Sequence, residues 1–241
     1  MRALLDLIYP PRCAGCDLPG TLLCERCTAE IARIDPASAC PSCGAPAGVP
    51  GGVAAGASAG VARCAECAGR AFAFTAARCA ALLAPPVSRA VVVLKDGGER
   101  RYAGVLAALL AETAADGWLS PDDILVPVPA SPAAVRRRGF DHVLDVTRAL
   151  GAETGNRVVK ALAANPVADQ RTLGRQGRFA NRADAFRRAR LEVPCGRLVL
   201  IDDVFTTGAT FDAAARTLVG AAAADLRALA VARSCTQAPV A

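Results

Sequence analysis

Aromatic side chains are scarce in this chain of 241 residues: they make up 4% of it, with a single Trp. Much of the 53% hydrophobic content is alanine, so the expected core is helix-rich and built of small side chains. The scarcity also bears on nucleic acids. Tyr102, Phe140, Phe179 and Phe186 are the only plausible stacking platforms for a single strand. Long apolar runs are missing too. No stretch reaches membrane-spanning length without a charge, so no membrane insertion is expected. The apolar residues before Cys13 are too few, and too interrupted by Asp6, for a signal peptide. Leu4, Leu5, Leu7 and Ile8 read instead as a short helix packed on the body, with the cytoplasm as the expected location. The net charge is +6, nearly all of the basic residues being arginine. Anionic ligands fit that balance, but a compositional bias toward arginine and alanine produces the same excess, so charge alone does not indicate DNA binding.

Cysteine, by contrast, is abundant. Eight of the 11 cysteines form four C-x-x-C pairs: Cys13/Cys16, Cys24/Cys27, Cys40/Cys43 and Cys64/Cys67. Each pair can present two thiolates to one metal, and two pairs complete the tetrahedral four-sulfur site of a structural zinc. Disulfides suit exported chains. A redox C-x-x-C does not explain four copies. Sequential pairing joins Cys13, Cys16, Cys24 and Cys27, then Cys40, Cys43, Cys64 and Cys67; interleaving would exchange the second and third pairs. Sequential pairing is the expectation. The Gly/Ala-rich stretch between Cys43 and Cys64 makes the second site the costlier one to close. Cys79, Cys195 and Cys235 are left over and read as buried thiols.

After Cys67 the composition shifts, and strand and helix patterns alternate. Strands are expected within Phe72–Leu83, Asp123–Val128, Arg157–Ala163, Leu198–Asp202 and Leu226–Ala232. Helices are expected at Val87–Leu94, Arg101–Ala115, Val143–Ala152 and Phe211–Val219. This order predicts an α/β domain with a mainly parallel sheet, whose ligands bind at the carboxyl ends of the strands. The expected division is 1–70 for an N-terminal helix and cysteine module and 71–241 for the α/β domain.

The stretch Leu198–Thr210, L-V-L-I-D-D-V-F-T-T-G-A-T, carries the chemistry. Four branched apolar residues form a buried strand; then come the acids Asp202 and Asp203, then Thr206, Thr207, Gly208, Ala209 and Thr210, then a helix. Backbone N–H groups at such a turn converge on a phosphate, with the helix dipole behind them. The acids suit sugar hydroxyls, or Mg2+ held through water. The stretch closely resembles the phosphoribosyl-pyrophosphate (PRPP) motif of type I phosphoribosyltransferases.

The resemblance extends along the chain. L-L-D-L-I-Y-P-P-R-C at the start, the cysteine pairs, L-K-D-G-G, V-P-V-P with R-R-R-G-F, and the set Gln170, Leu173, Arg178, Asn181 and Phe186 are similar to the ComF family, phosphoribosyltransferase-like proteins associated with bacterial competence. The resemblance implies a type I phosphoribosyltransferase-like sheet behind a double zinc ribbon, with Zn2+ in the ribbon and Mg2+ accompanying PRPP. It implies that Asp202 and Asp203 act at the ribose, that Thr206–Thr210 hold the 5-phosphate, and that Arg138 and Arg178 meet pyrophosphate. It also implies a link to DNA uptake, through single-stranded DNA or a helicase partner. After R-G-F the family shows Asn-Gln, whereas this chain has Asp141-His142. His142, the only histidine, is expected to cap or pack at the helix start rather than act as a general base.

Overall fold

The computed structural model describes residues 10–48, 63–166, 185–189, 196–219 and 225–235. Within them the chain forms α1 (Glu25–Ala29), β1 (Ala76–Leu82), α2 (Val87–Lys95), α3 (Tyr102–Ala114), β2 (Ile124–Pro127), α4 (Pro132–Arg138), α5 (His142–Thr154), β3 (Arg157–Val158), β4 (Leu162–Ala164), β5 (Phe186–Arg188), β6 (Leu198–Phe205), α6 (Ala209–Leu218) and β7 (Leu226–Arg233). Five strands form a parallel sheet in the order β1-β7-β6-β2-β3, while β4 and β5 pair antiparallel. Parallel neighbours require crossovers, and here the helices make them.

Leu198, Val199, Leu200 and Ile201 have no exposed surface, because β6 is central and both faces of the sheet are covered. Val199, Ile201, Leu229 and Val231 pack on α2, α3 and α5. Leu198, Leu200, Ala228 and Ala230 pack on α6, together with Cys40, Cys43, Cys64 and Cys67. The parallel sheet flanked by helices and the Cys-rich module before it match the expected fold class.

Strand alternation does not run unbroken. Ala80 and Ala81 on β1, and Val231 and Ala232 on β7, all lie on the α2/α3/α5 face, where strict alternation would divide each pair. On β6, Val204 takes that same face and Phe205 the opposite one. The phase thus slips by one residue at the same level of three adjacent strands, since Ala81 pairs with Ala232 and Ala232 with Val204.

Three expectations are corrected. The segment 157–163 is not one strand: β3 pairs with β2, and the chain then leaves the sheet to pair β4 with β5. The polar stretch after Val128 contains the helix α4, started by Ser131, whose Oγ accepts from Ala134 N at 3.3 Å, with Pro132 next and Gly139 closing it in the left-handed region. Strand β6 also continues beyond Asp202 to Phe205, and α6 begins at Ala209 rather than Phe211.

Beneath the end of β6 the scarce aromatics gather. Phe205 stacks on Phe211 with ring centroids 5.3 Å apart, and Phe74 meets both edge-on at 6.3 Å. Truncating Phe211 to Ala should destabilise the chain by about 3–5 kcal/mol, the usual cost of removing a buried ring. Denaturant unfolding measures this.

Candidate functional site

The cysteines assemble into two groups, Cys13/Cys16/Cys24/Cys27 and Cys40/Cys43/Cys64/Cys67, with the sulfur atoms of each group within 4.8 Å of one another. Pairing is therefore sequential. Sulfur atoms each about 2.3 Å from one zinc sit roughly 3.8 Å apart at tetrahedral corners. The separations fit: Cys13 to Cys24 is 3.7 Å, Cys16 to Cys24 3.8 Å and Cys43 to Cys64 3.5 Å. Backbone donors support the sulfurs, Cys24 N reaching Cys13 Sγ at 3.4 Å and Cys64 N reaching Cys40 Sγ at 3.3 Å. Burial pushes the Cys13 thiol up, but N–H groups of Cys16, Cys24 and Gly15 outweigh it and bring the thiol down to about 6. Cys40 falls to about 4, chiefly through a hydrogen bond from Cys43, which is itself pushed up. Burial lifts Cys27 and Cys67 to about 12. Four sulfurs this close cannot all ionise unless they share a cation, and Zn2+ suits the donor set.

The second assembly lies at the carboxyl edge of the sheet. Strands β2 and β6 are parallel neighbours, so the loop after Val128 and the bend after Phe205 leave the same edge side by side. Thr206, Thr207 and Gly208 make the bend, and α6 follows directly. Gly208 has φ 78°, and a Cβ there would lie 2.8 Å from Phe205 Cζ and 2.9 Å from Phe72 Cε1. Both conformation and space therefore require glycine. Thr206, Thr207 and Thr210 are exposed, whereas Ala209 and Thr210 belong to the first helical turn rather than to the loop.

Asp202 and Asp203 stand within β6, just before the bend. Up to that point alternation holds, so Asp203 takes the face of Val199 and Ile201, where α2 and α5 lie. There Lys95 Nζ and His142 Nε2 both reach Asp203 Oδ2, at 3.2 and 3.0 Å. Burial alone would raise the Asp203 carboxyl, but His142 and Lys95 overcome that and hold it below the usual range. Burial, and then the charge of Asp203, push Asp202 well above it. The pair is thus split, with Asp203 ionised and Asp202 prone to keep a proton. Asp202 Oδ1 also accepts from Asp203 N at 2.9 Å.

The capping expected of His142 is done by Asp141, whose Oδ1 accepts from Val143 N and Leu144 N at 3.1 and 3.3 Å. His142 does pack at the helix start, buried, but its ring serves Asp203, and its Nδ1 has no partner among the described residues. Lys95 is the residue missed: it belongs to L-K-D-G-G, read only as a turn. Its neighbour Asp96 meets Arg138 Nη2 at 3.4 Å, so this turn contacts both the acidic pair and the basic helix. Arg136 and Arg137 are exposed. Arg178, with Gln170, Leu173 and Asn181, lies outside the described residues, as do Phe179 and Cys195. Of the stacking candidates, Tyr102 is buried with its hydroxyl donating to Arg12 O, Phe140 is covered by Arg100 at 5.2 Å, and Phe186 packs against the core. Cys79 is buried as expected, whereas Cys235 is only half-buried.

Residues 4–68 match the family model described as a double zinc ribbon domain, in agreement with the two four-cysteine groups. These are zinc sites of the structural kind. No curated protein matches the chain in sequence. Among solved structures, the chain is similar to Trypanosoma cruzi hypoxanthine phosphoribosyl transferase, at 13% identity and a TM-score of 0.33, over 59% of this chain and 68% of that one. At that level the likeness adds nothing to what the strand order already gives. Among the described residues, no helix is long and apolar enough to cross a membrane.

Two outcomes are expected. A Cβ on Gly15 would lie 2.3 Å from Cys27 Sγ, so Gly15→Ala should lower bound zinc from about two per chain to about one, read by metal analysis. The split acidic pair gives opposite signs in thermal unfolding. Asp203's depressed carboxyl stabilises the fold above the unfolded value near pH 4, and that contribution is lost as pH falls through its lower folded value. Asp203→Asn should thus lower the midpoint at pH 7 by roughly 5 °C, the difference shrinking in acid. Asp202 favours the fold below about pH 4 and loses that contribution as pH rises through its raised folded value. Asp202→Asn should raise the midpoint at pH 7.

Proposed function

We propose that residues 71–241 form a PRPP-binding phosphoribosyltransferase-like domain, carried behind the zinc module of residues 1–70. The observation that supports this most is the junction of β6 and α6: a hydroxyl-rich bend with an obligatory glycine opens a ten-residue helix, and a split acidic pair stands at its root. In this reading the backbone N–H groups of the bend and the hydroxyls of Thr206, Thr207 and Thr210 hold the 5-phosphate. Asp203, ionised, accepts from a ribose hydroxyl. Asp202, retaining its proton more readily, can donate as well as accept. Together they steady the positive charge that develops on the ribose as the anomeric bond breaks, while a nitrogen nucleophile approaches that carbon. Mg2+ fits oxygen donors of this kind and would neutralise the pyrophosphate leaving group. Arg138 and Arg178 would face pyrophosphate.

The same reading takes the chain as a ComF-family protein of the cytoplasm that serves competence and the uptake of transforming DNA. With Tyr102 buried and Phe140 covered, contact with single-stranded DNA falls to a partner such as a DNA-uptake helicase, and this chain supplies PRPP binding or sensing.

Calorimetric titration of zinc-loaded protein with PRPP and Mg2+ tests the site. Micromolar binding is expected, weakened at least tenfold (about 1.4 kcal/mol) in the Asp202→Asn/Asp203→Asn double variant. Absence of binding by the folded native protein would overturn the phosphoribosyl reading.

A further inference from the structure

Arg233, at the end of β7, is only 2% exposed, and a cation so deeply buried requires partners. Its guanidinium finds them on two sides. Nη2 donates to Glu66 Oε2 at 2.9 Å and to Cys43 Sγ at 3.8 Å, both within the second cysteine group or its connecting segment. Nη1 donates to the carbonyls of Thr206 at 2.8 Å and Phe205 at 3.4 Å, and to that of Ser234. The guanidinium Cζ lies over the Phe205 ring, 5.3 Å from the centroid. A rigid planar fork therefore connects a cysteine of the second group to the last carbonyl of β6 and the first of the candidate phosphate loop.

The direction of those carbonyls matters. In a trans peptide the C=O and the following N–H point opposite ways. Drawing the carbonyls of Phe205 and Thr206 toward Arg233 turns the N–H groups of Thr206 and Thr207 away from it, toward the open side of the bend. Ser234 N, donating to Phe205 O at 3.0 Å, pulls the same way. Arg233 reaches this position only because of the phase slip in β7. Strict alternation from Ala230 would send it to the α2/α3/α5 face, away from Cys43.

We propose that Arg233 is a positioning residue that anchors the phosphate loop to the second zinc site, so that an assembled Cys40/Cys43/Cys64/Cys67 centre is what keeps the Thr206 and Thr207 amides presented to a 5-phosphate. Glu66 and Cys43 together form the side of the guanidinium that faces the second cysteine group. As far as it concerns the ligand, the inference rests on the phosphoribosyl reading above. The anchoring itself does not.

Hydrogen exchange read by mass spectrometry on the zinc-loaded full chain separates the two. In Arg233→Lys, which keeps the charge but loses the fork, amides of Thr206–Gly208 should exchange about tenfold faster. Zinc content and the exchange of β2 and α3 should stay native, whereas a merely structural loss would loosen the whole sheet. Glu66→Gln alters a partly exposed partner, folds more safely, and should give a several-fold effect at the same amides. Removing zinc from the native chain with a chelator should do likewise. An unchanged loop in both variants, or after zinc loss, overturns the anchoring. PRPP titration of the same samples forms the second arm, with about tenfold weaker binding expected in Arg233→Lys. Should the native chain ignore PRPP while the loop amides respond, the phosphoribosyl reading falls and the anchoring stands. PRPP binding with loop and affinity both indifferent to Arg233 has the opposite meaning.

Discussion

The carboxyl edge of the sheet depends on a single oxygen. Asp203 Oδ2 receives Lys95 from the end of α2 and His142 from the start of α5, two segments 47 residues apart in the chain. Without Lys95 and His142 a carboxyl placed in a strand covered on both faces would be held toward its neutral form. With them it ionises, and its charge pushes its neighbour the other way. Two adjacent carboxyls thereby acquire different protonation behaviour from one shared contact, a division that suits one to accept hydrogen bonds and the other to donate as well as accept. Asp141 adds to the same architecture: it caps α5 and its Oδ2 accepts from Ala130 N at 3.2 Å, tying the loop after β2 to the helix that carries His142.

The cysteine module is joined to the sheet more deeply than a tethered ribbon would be. The buried sulfurs of the second group share one apolar layer with Phe74, Leu200 and Ala230, so assembling that site also completes the cover of the sheet. Scarcity of large side chains makes this matter. A core built mostly of alanine, valine and leucine has few rings to fill gaps, and the chain spends most of its phenylalanines where cysteine layer, sheet and α6 converge. Arg233 crosses that layer from metal centre to loop, stacked on one of those rings.

Much of this was legible in the sequence because its causes are local. Four apolar residues, two acids and a threonine–glycine turn specify strand, edge and bend within thirteen positions, and C-x-x-C spacing specifies a pair of thiolates within four. The sequence leaves sequential and interleaved pairing of the knuckles both open, and the structure decides for the sequential one. What the sequence could not supply were the identities of distant partners. Lys95 sits in a stretch that reads as a turn, and His142 at a helix start where packing alone would explain it. Their shared role exists only because the crossovers of a parallel sheet bring the end of α2 and the start of α5 to one side of β6. The stretch after Val128 held a readable signal, Ser-Pro followed by small residues and a closing glycine, but its arginines drew attention to its charge instead of its helix.

Arg233 marks the boundary most clearly. From sequence it is one more arginine at the end of a strand, and regular alternation assigns it to the wrong face. The phase slip that turns it toward Cys43 is shared by three neighbouring strands and has no signature in any one of them, because it arises from how their rows are packed together. The sequence alone determined the residue types for two thiolate clusters and one threonine–glycine bend, since each is written within a few consecutive positions. Tertiary structure alone decided which acid faces Lys95 and His142, and that the second cysteine group and the bend are held by the same guanidinium. Those outcomes depend on distances between segments that only the closed sheet sets.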